Sequence, residues 1–550
     1  VPETSSGRPD RQAAKEDIVT PITRRTMLAV SASSAFAGST PDAHAQRADT
    51  MRLGMGAAQV ITIDPIFLNQ GVDNWAITHV FDFLARAPLG RFGKSPSEFT
   101  PELAKSWTIS PDSRVWTFHL REGVQFHKGY GELTSEDVKF TFDRVRDPAQ
   151  GSAAAIYYSN VERVEAPDRY TAVISLKQPD PFLMSSLVHV TSSNIVCKKA
   201  VLEKGAGFAR DPIGSGPYQV ASVAPKLVKL SANADYFGTK PSIPNMEVQY
   251  ILDTSARALA ILGNQLDMIL APAGPGAINS ITQKNPKLIL DVALPGNSVS
   301  VAFNLNRKPL DDLRVRQAFM YAINKEDIRN SLTPPTPRVF GLNPPSVDGA
   351  LTDANCPKEL RYDYNPAKAK QLLAEAGFPR GFTLPVTCSV RDDFSSLMLI
   401  IAEQLRQVGV TLDVKLVDHA AFHHDDVMDL CNFTMRIGSY PPVPTQPFQN
   451  ELAAAGNVQP DGKGHGNNFA HYGVAIPGID DLLDQTMAEP DLEKRLALAR
   501  KMEEKALVDL PLVSLCTTAY VIIRNPRLDI GFKVESSLGY WRLNQARFVA

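Results

Sequence analysis

Residues 103–145 read LAKSWTISPDSRVWTFHLREGVQFHKGYGELTSEDVKFTFDRV, and within them the hydrophobic period changes from that of a strand to that of a helix. Trp116, Phe118 and Leu120 alternate with Val115, Thr117 and His119, which predicts a half-buried strand over 114–120. Arg121-Glu122-Gly123 predicts a turn with Gly123 at positive φ, and Val124-Gln125-Phe126 would start the return strand of a hairpin. Thr134 followed by Asp137 three residues on predicts a capping box. The helix it opens places Val138, Thr141, Phe142 and Val145 on one face. Those residues specify strand, hairpin and capped helix, and many chains contain that much.

The order in which the residues fall says more. W-x-x-S-x-D, then W-T-F-x-L-R-x-G-V-x-F-H, then T-x-E-D-V-x-F-x-F-x-R resembles the signature of the family 5 extracytoplasmic solute-binding proteins. These are the dipeptide, oligopeptide and nickel-binding receptors of ABC importers. At His127-Lys128-Gly129 the chain departs from the more usual His-Asp-Gly. Further segments resemble the same family in the same order. They are Ile63-Asp64-Pro65, then Pro212 to Tyr218 (PIGSGPY), then Asp253 to Asp267 (DTSARALAILGNQLD). Phe303-Asn304 with Pro309 to Ala318 (PLDDLRVRQA) follows, and then Pro511 to Leu515. The resemblance runs from about Asp64 to Phe532.

The resemblance implies a two-lobed α/β periplasmic-binding-protein fold with hinge crossings between lobes and an extra subdomain inserted in the first. Expected bounds are a signal peptide at 1–45, lobe 1 at 46–303 and 511–550 with its insertion at about 86–211, and lobe 2 at 304–510. Length agrees, since 550 residues exceed the roughly 250–300 at which one hydrophobic core stops growing. A formal charge of −2 gives no reason to invoke nucleic acid or an anionic membrane. Cys197, Cys356, Cys388, Cys431 and Cys516 are scattered without a CxxC. They read as small buried hydrophobes with room for one disulfide, and no structural zinc.

Thr23-Arg24-Arg25-Thr26-Met27-Leu28 resembles a twin-arginine export motif, followed by a short apolar run over 27–38 and an A-x-A site at Ala43-His44-Ala45. The expected product is a freely diffusing periplasmic monomer starting near Gln46. No later run of 18 apolar residues occurs, so the membrane component would be a separate protein.

Met51 to Asp64 reads as a first strand, and Trp75 sits on an apolar helical stretch as either a core anchor or a ligand-stacking platform. Asp168-Arg169 turns into the alternating strand Tyr170, Ala172, Ile174, Leu176. The 212–218 glycines force a corner where the chain leaves the insertion, and Gly263 would be a helix C-cap. Arg314 and Arg316 are expected to be solvated or ion-paired on a helix whose inner face carries Val315 and Phe319. Asn365-Pro366 and Gly377 bracket a helix by the usual asymmetry. Strand 382–390, helix 394–408 and the alternation Val410, Leu412, Val414, Leu416 form a βαβ unit. Another helix spans 491–510.

For binding, His419 and His423 are four apart, so a helix would set them on one face at metal-ligand distance. Together with His424, Asp425 and Asp426 they read as a solvated face or a metal-chelate contact. By resemblance, Ser439 stands where family peptide receptors carry the aspartate that holds the peptide's ammonium. Losing such a carboxylate costs about 2–5 kcal/mol, which makes an unmodified peptide a poorer candidate. Arg436 has the planar fork for a carboxylate or phosphate, or else braces the lobe.

The resemblance thus implies a pocket lined by Trp75, Asn304, Arg436, Ser439 and Tyr440, with no catalytic residue, cofactor or resident metal. A peptide or peptide-sized polar solute, such as an opine or oligosaccharide, would be captured for an ABC permease and its ATPase subunits. A metal-chelate receptor, and a secreted enzyme or chaperone on the same scaffold, remain open alternatives.

Overall fold

In the computed structural model the alternating segments sort onto separate sheets. It describes residues 49–67, 72–91, 98–180, 183–188, 191–271, 276–294, 297–332, 334–438, 443–454, 467–474, 476–489, 491–535 and 541–549. The expected signal peptide at 1–45 lies outside them. Strand Val115–Leu120 buries Trp116, Phe118 and Leu120 as its alternation predicts. It occupies an inner position in an antiparallel four-stranded sheet ordered Ala104–Ile109, Val115–Leu120, Thr171–Leu176, Val161–Asp168. Both its edges are therefore taken, and the expected hairpin does not form. Gln125–Phe126 pairs with Gly131–Glu132 instead, although Gly123 does adopt a φ of 77°. Helix Ser135–Arg146 starts at the capping box, with the Thr134 N–H donating to Asp137 at 3.0 Å, and buries Val138, Thr141, Phe142 and Val145.

Two of the sequence motifs meet in space. Arg144, the last residue of the 134–144 motif, donates both terminal nitrogens to Asp64, at 3.0 and 2.6 Å, in a largely buried pair. The first strand accordingly stops early. It spans Thr50–Met55 rather than reaching Asp64, because its partner Asn245–Tyr250 ends opposite Met55. That strand belongs to a seven-stranded mixed sheet, ordered Tyr218–Ala224, Leu227–Ala232, Asn245–Tyr250, Thr50–Met55, Met268–Leu270, Tyr520–Arg524, Ile289–Ala293. The chain enters it through the glycine corner, where a Cβ on Gly214 would lie 2.0 Å from the Val80 carbonyl oxygen and one on Gly216 2.6 Å from that of His79. Helix Thr254–Leu262 is capped by Asp253 and ends at Gly263, but the left-handed residue is Asn264.

A three-stranded antiparallel sheet follows, ordered Phe433–Gly438, Ser298–Phe303, Leu512–Thr517. The chain passes between the two sheets twice, from Ala293 to Ser298 and from Thr517 to Tyr520. The βαβ unit is present as parallel strands Phe382–Ser389 and Val410–Val417 around helix Asp392–Arg406. Asn365 caps helix Pro366–Glu375, and Gly377 takes positive φ beyond it. Arg314 pairs with Asp312 as expected, whereas Arg316 is not solvated. It donates to the carbonyls of Leu310, Asp311 and Asp509, the last of which ends helix Leu492–Asp509 and has no donor within that helix's ladder. All five cysteines are unpaired and buried, so the possible disulfide is absent; burial pushes Cys516 up to about 12.

Two buried histidines make stability depend on pH. His79 donates from Nδ1 to the Trp75 carbonyl and accepts the Leu543 N–H on Nε2, while His127 donates to the Gly216 carbonyl. Burial lowers them to about 3 and about 4. Unfolded histidine takes up its proton near pH 6.5, so the unfolded state gains protons first and stability falls as pH drops from there to the folded value. In urea unfolding, wild type is expected to lose about 1.4 kcal/mol per pH unit relative to His127→Gln between pH 6 and 4.5. Parallel curves would show that His127 is not held neutral.

Candidate ligand site

Strand Ser298–Phe303 is buried along its whole length, yet its sequence alternates. Val299, Val301 and Phe303 enter an apolar core, and Ser298, Ser300 and Ala302 form the other face. Across that face the register places Thr434, Arg436 and Gly438 on one neighbour and Leu512, Ser514 and Thr517 on the other. The face thus turns from apolar at Ala302 and Leu512 to polar at Ser300, Ser514 and Arg436 as it nears the two passages between sheets. Buried polar groups need partners. Ser298 and Ser514 share a 3.1 Å hydrogen bond, but the buried Thr517 hydroxyl has no partner among the described residues.

Arg436 lies with its guanidinium carbon 3.9 Å from the Phe469 ring centre and Nη2 3.4 Å from Glu451 Oε1. Glu451 closes the short helix Gln446–Glu451, whose residue Asn450 hydrogen-bonds Tyr157 from the segment Ala153–Tyr158. Asp426, 1 % exposed, is pushed up to about 6 by burial, with the Arg436 charge opposing. One guanidinium therefore pairs with one buried carboxylate and acts through its charge on a second.

Of the predicted residues, Trp75 is buried, donates from Nε1 to the Tyr520 hydroxyl at 2.9 Å and packs 5.5 Å from Trp541. Tyr520 lies three residues past Thr517, which puts this aromatic group beside the return passage. Asn304 is not brought to Arg436. Its side chain donates to Asp429 and to the Cys431 carbonyl at the far end of the three-stranded sheet. Four residues of strand separate it from Ser300, which faces Arg436, a distance of about 13 Å. Ser439 and Tyr440 lie outside the described residues.

His419 and His423 do share a face of helix His419–Val427, with their Nε2 atoms 3.2 Å apart. The Arg391 guanidinium is 3.2 Å from that same His419 nitrogen, and His419 Nδ1 is engaged by Ser389. Burial and Arg391 lower His419, and burial takes His423 to about 4. A cation there would meet the arginine. Among the described residues no group of three or more His, Cys, Asp or Glu is placed to hold a metal, and the metal-chelate alternative is not favoured.

Sequence reasoning missed Ser298, Ser300, Ser514 and Thr517, although S-V-S-V in a fully buried strand was a usable signal. Glu451 and Phe469 had none, since only folding brings them to Arg436.

Comparison with known proteins agrees with this architecture. The family described as bacterial extracellular solute-binding proteins, family 5 Middle, matches residues 98–456. The dipeptide-binding protein of Escherichia coli K12 is 31% identical over 452 residues, covering 76% of this chain and 80% of that one. A Brucella ovis protein assigned as an ABC transporter peptide-binding protein is 30% identical over 370 residues, 64% of this chain and 65% of its own length. Among solved structures, the periplasmic binding protein MoaA of A. tumefaciens R10, in complex with mannopinic acid, superposes with a TM-score of 0.80 at 28% identity, covering 92% of this chain and all of that one. The fold is that of the periplasmic binding proteins, and the family consists of solute-binding receptors rather than enzymes. On these grounds the chain belongs to the bacterial extracellular solute-binding proteins of family 5.

Proposed function

We propose that the protein is the substrate-binding component of an ABC importer. It captures a peptide or peptide-sized polar solute and delivers it to a membrane permease driven by ATPase subunits. The observation that carries this reading is Arg436, held by Phe469 and Glu451 on a buried polar sheet face beside the passages between sheets. In this reading lobe 1 is built on the seven-stranded sheet and lobe 2 on the three-stranded one, which moves strands Ser298–Phe303 and Leu512–Thr517 out of the lobe 1 bounds expected from the sequence and into lobe 2, with hinge motion at the two passages closing the lobes on the solute. Export by the twin-arginine motif would place it in the periplasm as a monomer. Its solute carries a carboxylate for Arg436. An opine such as the mannopinic acid bound by MoaA is the class this favours, and a dipeptide, as bound by the Escherichia coli relative, is the poorer fit because Ser439 stands, by resemblance, in place of the aspartate that would hold its ammonium.

Native mass spectrometry of gently purified periplasmic protein tests the reading, because tight receptors retain solute. A retained acidic solute is expected, and adding it at about a hundred times its Kd should stabilise the fold by roughly 2.7 kcal/mol. Protein that emerges empty and shows no stabilisation by dipeptides or opines would sink it.

A further inference from the structure

Helix Leu492–Asp509 carries a carboxylate at Glu503 that is 0 % exposed. It accepts the Leu342 N–H at 2.6 Å on one oxygen, and the Asn343 N–H at 2.9 Å and Nδ2 at 2.8 Å on the other. All three donors are neutral. A buried charge answered only by neutral donors is a costly feature, and burial pushes this carboxyl up to about 7. The backbone is shaped to admit it, since a Cβ on Gly341 would lie 1.9 Å from Glu503 Oε2.

What the carboxylate organises leads to the ligand face. Asn343 uses its second amide hydrogen to bond the Pro444 carbonyl at 2.9 Å. Pro444 precedes Thr445, the N-cap of the helix that carries Asn450 and Glu451, and it closely follows Ser439 and Tyr440 in sequence. The Leu342 carbonyl accepts from Ser514 on the polar sheet face at 3.4 Å. One carboxylate therefore fixes a three-residue loop that touches both the sheet face and the helix bringing Glu451 to Arg436.

We propose that Glu503 is a positioning residue for the ligand site, acting through Asn343 and Pro444 to set helix Gln446–Glu451 so that Glu451 meets Arg436. The role rests on reading that face as the ligand site. Neutral glutamine cannot replace the carboxylate, because it presents one acceptor and one donor to groups that are all donors.

Hydrogen exchange of the full chain without added solute tests this in Glu503→Gln, Asn343→Ala and their double variant. Exchange over residues 443–452 is expected to rise about fivefold in each single variant. Helix Pro366–Glu375 and strand Val410–Val417 should stay as in wild type, and the double variant should add nothing, both residues lying on one link. The coupling between Arg436 and Glu451, read from urea unfolding of Arg436→Met, Glu451→Gln and the pair, should vanish in the Asn343→Ala background. Ile328→Ala, a core change elsewhere in the lobe, serves as the control for general destabilisation. Unchanged exchange over 443–452, a rise spread evenly across the lobe as in that control, or an undiminished Arg436–Glu451 coupling would each overturn the proposal. If Glu503→Gln does not fold, Asn343→Ala decides alone, because it keeps the carboxylate with its two backbone donors and removes only the side-chain amide that links Glu503 to Pro444. These measurements need no solute, so their failure leaves the receptor reading standing, whereas an empty, unresponsive protein in mass spectrometry removes the receptor reading and leaves the strut.

Discussion

Replacing Arg542 with methionine is expected to cost the fold about 3–5 kcal/mol, a loss large enough to read directly in urea unfolding. The Arg542 side chain is 1 % exposed and donates to Asp82 at 2.7 Å, Glu102 at 2.8 Å and the Tyr236 hydroxyl at 2.8 Å, and to the Phe81 and Thr78 carbonyls. Both carboxylates are buried, and further hydrogen bonds reach them from neutral groups among the described residues. Ser215 and Tyr236 donate to Asp82, and the Phe83 N–H donates to Glu102. Methionine matches the volume of the stem but removes the guanidinium that the buried Asp82 and Glu102 share. Lysine should be intermediate, since it keeps the charge but loses the fork that reaches carboxylates and carbonyls together. A loss below about 1 kcal/mol for methionine would mean that water or protonation relieves the carboxylates.

That network also shows where the sequence stops being informative. Its members Asp82, Glu102 and Arg542 are separated by up to 460 residues, and nothing local marks Arg542 as a partner of the other two. The elements read correctly were those whose cause is local. The alternation of Trp116, Phe118 and Leu120, the Thr134–Asp137 box, and the Asn365 cap with Gly377 behind it each depend on neighbours within four residues. The errors arose where a distant partner decided the outcome. The 125–126 strand lost its hairpin because Thr171–Leu176 had already taken the edge, and Arg316 was drawn inward by the carbonyl of Asp509. The ligand face divides the same way. Arg436 and Asn304 were both named by the resemblance, and their partners could not be read from it: Phe469 and Glu451 for Arg436, Asp429 at the other end of the sheet for Asn304.

Arg436→Met should lower affinity for the solute recovered with wild-type protein by roughly thirtyfold to several-thousandfold, the equivalent of about 2–5 kcal/mol. Most of that loss should appear as faster dissociation. The substitution also takes the guanidinium from Glu451, 5 % exposed, and removes the charge that opposes the rise of Asp426, so stability falls as well and affinity alone is ambiguous. The double variant Arg436→Met/Glu451→Gln separates the two effects. Removing both members of a buried pair costs far less than removing one, so stability should largely return. Affinity should not return, because the guanidinium proposed to meet the solute's carboxylate is gone. Calorimetry in the double variant is therefore the decisive measurement. Wild-type affinity there would make Arg436 a brace for helix Gln446–Glu451 and place the solute's anionic group elsewhere, with the 439–440 segment the next place to look.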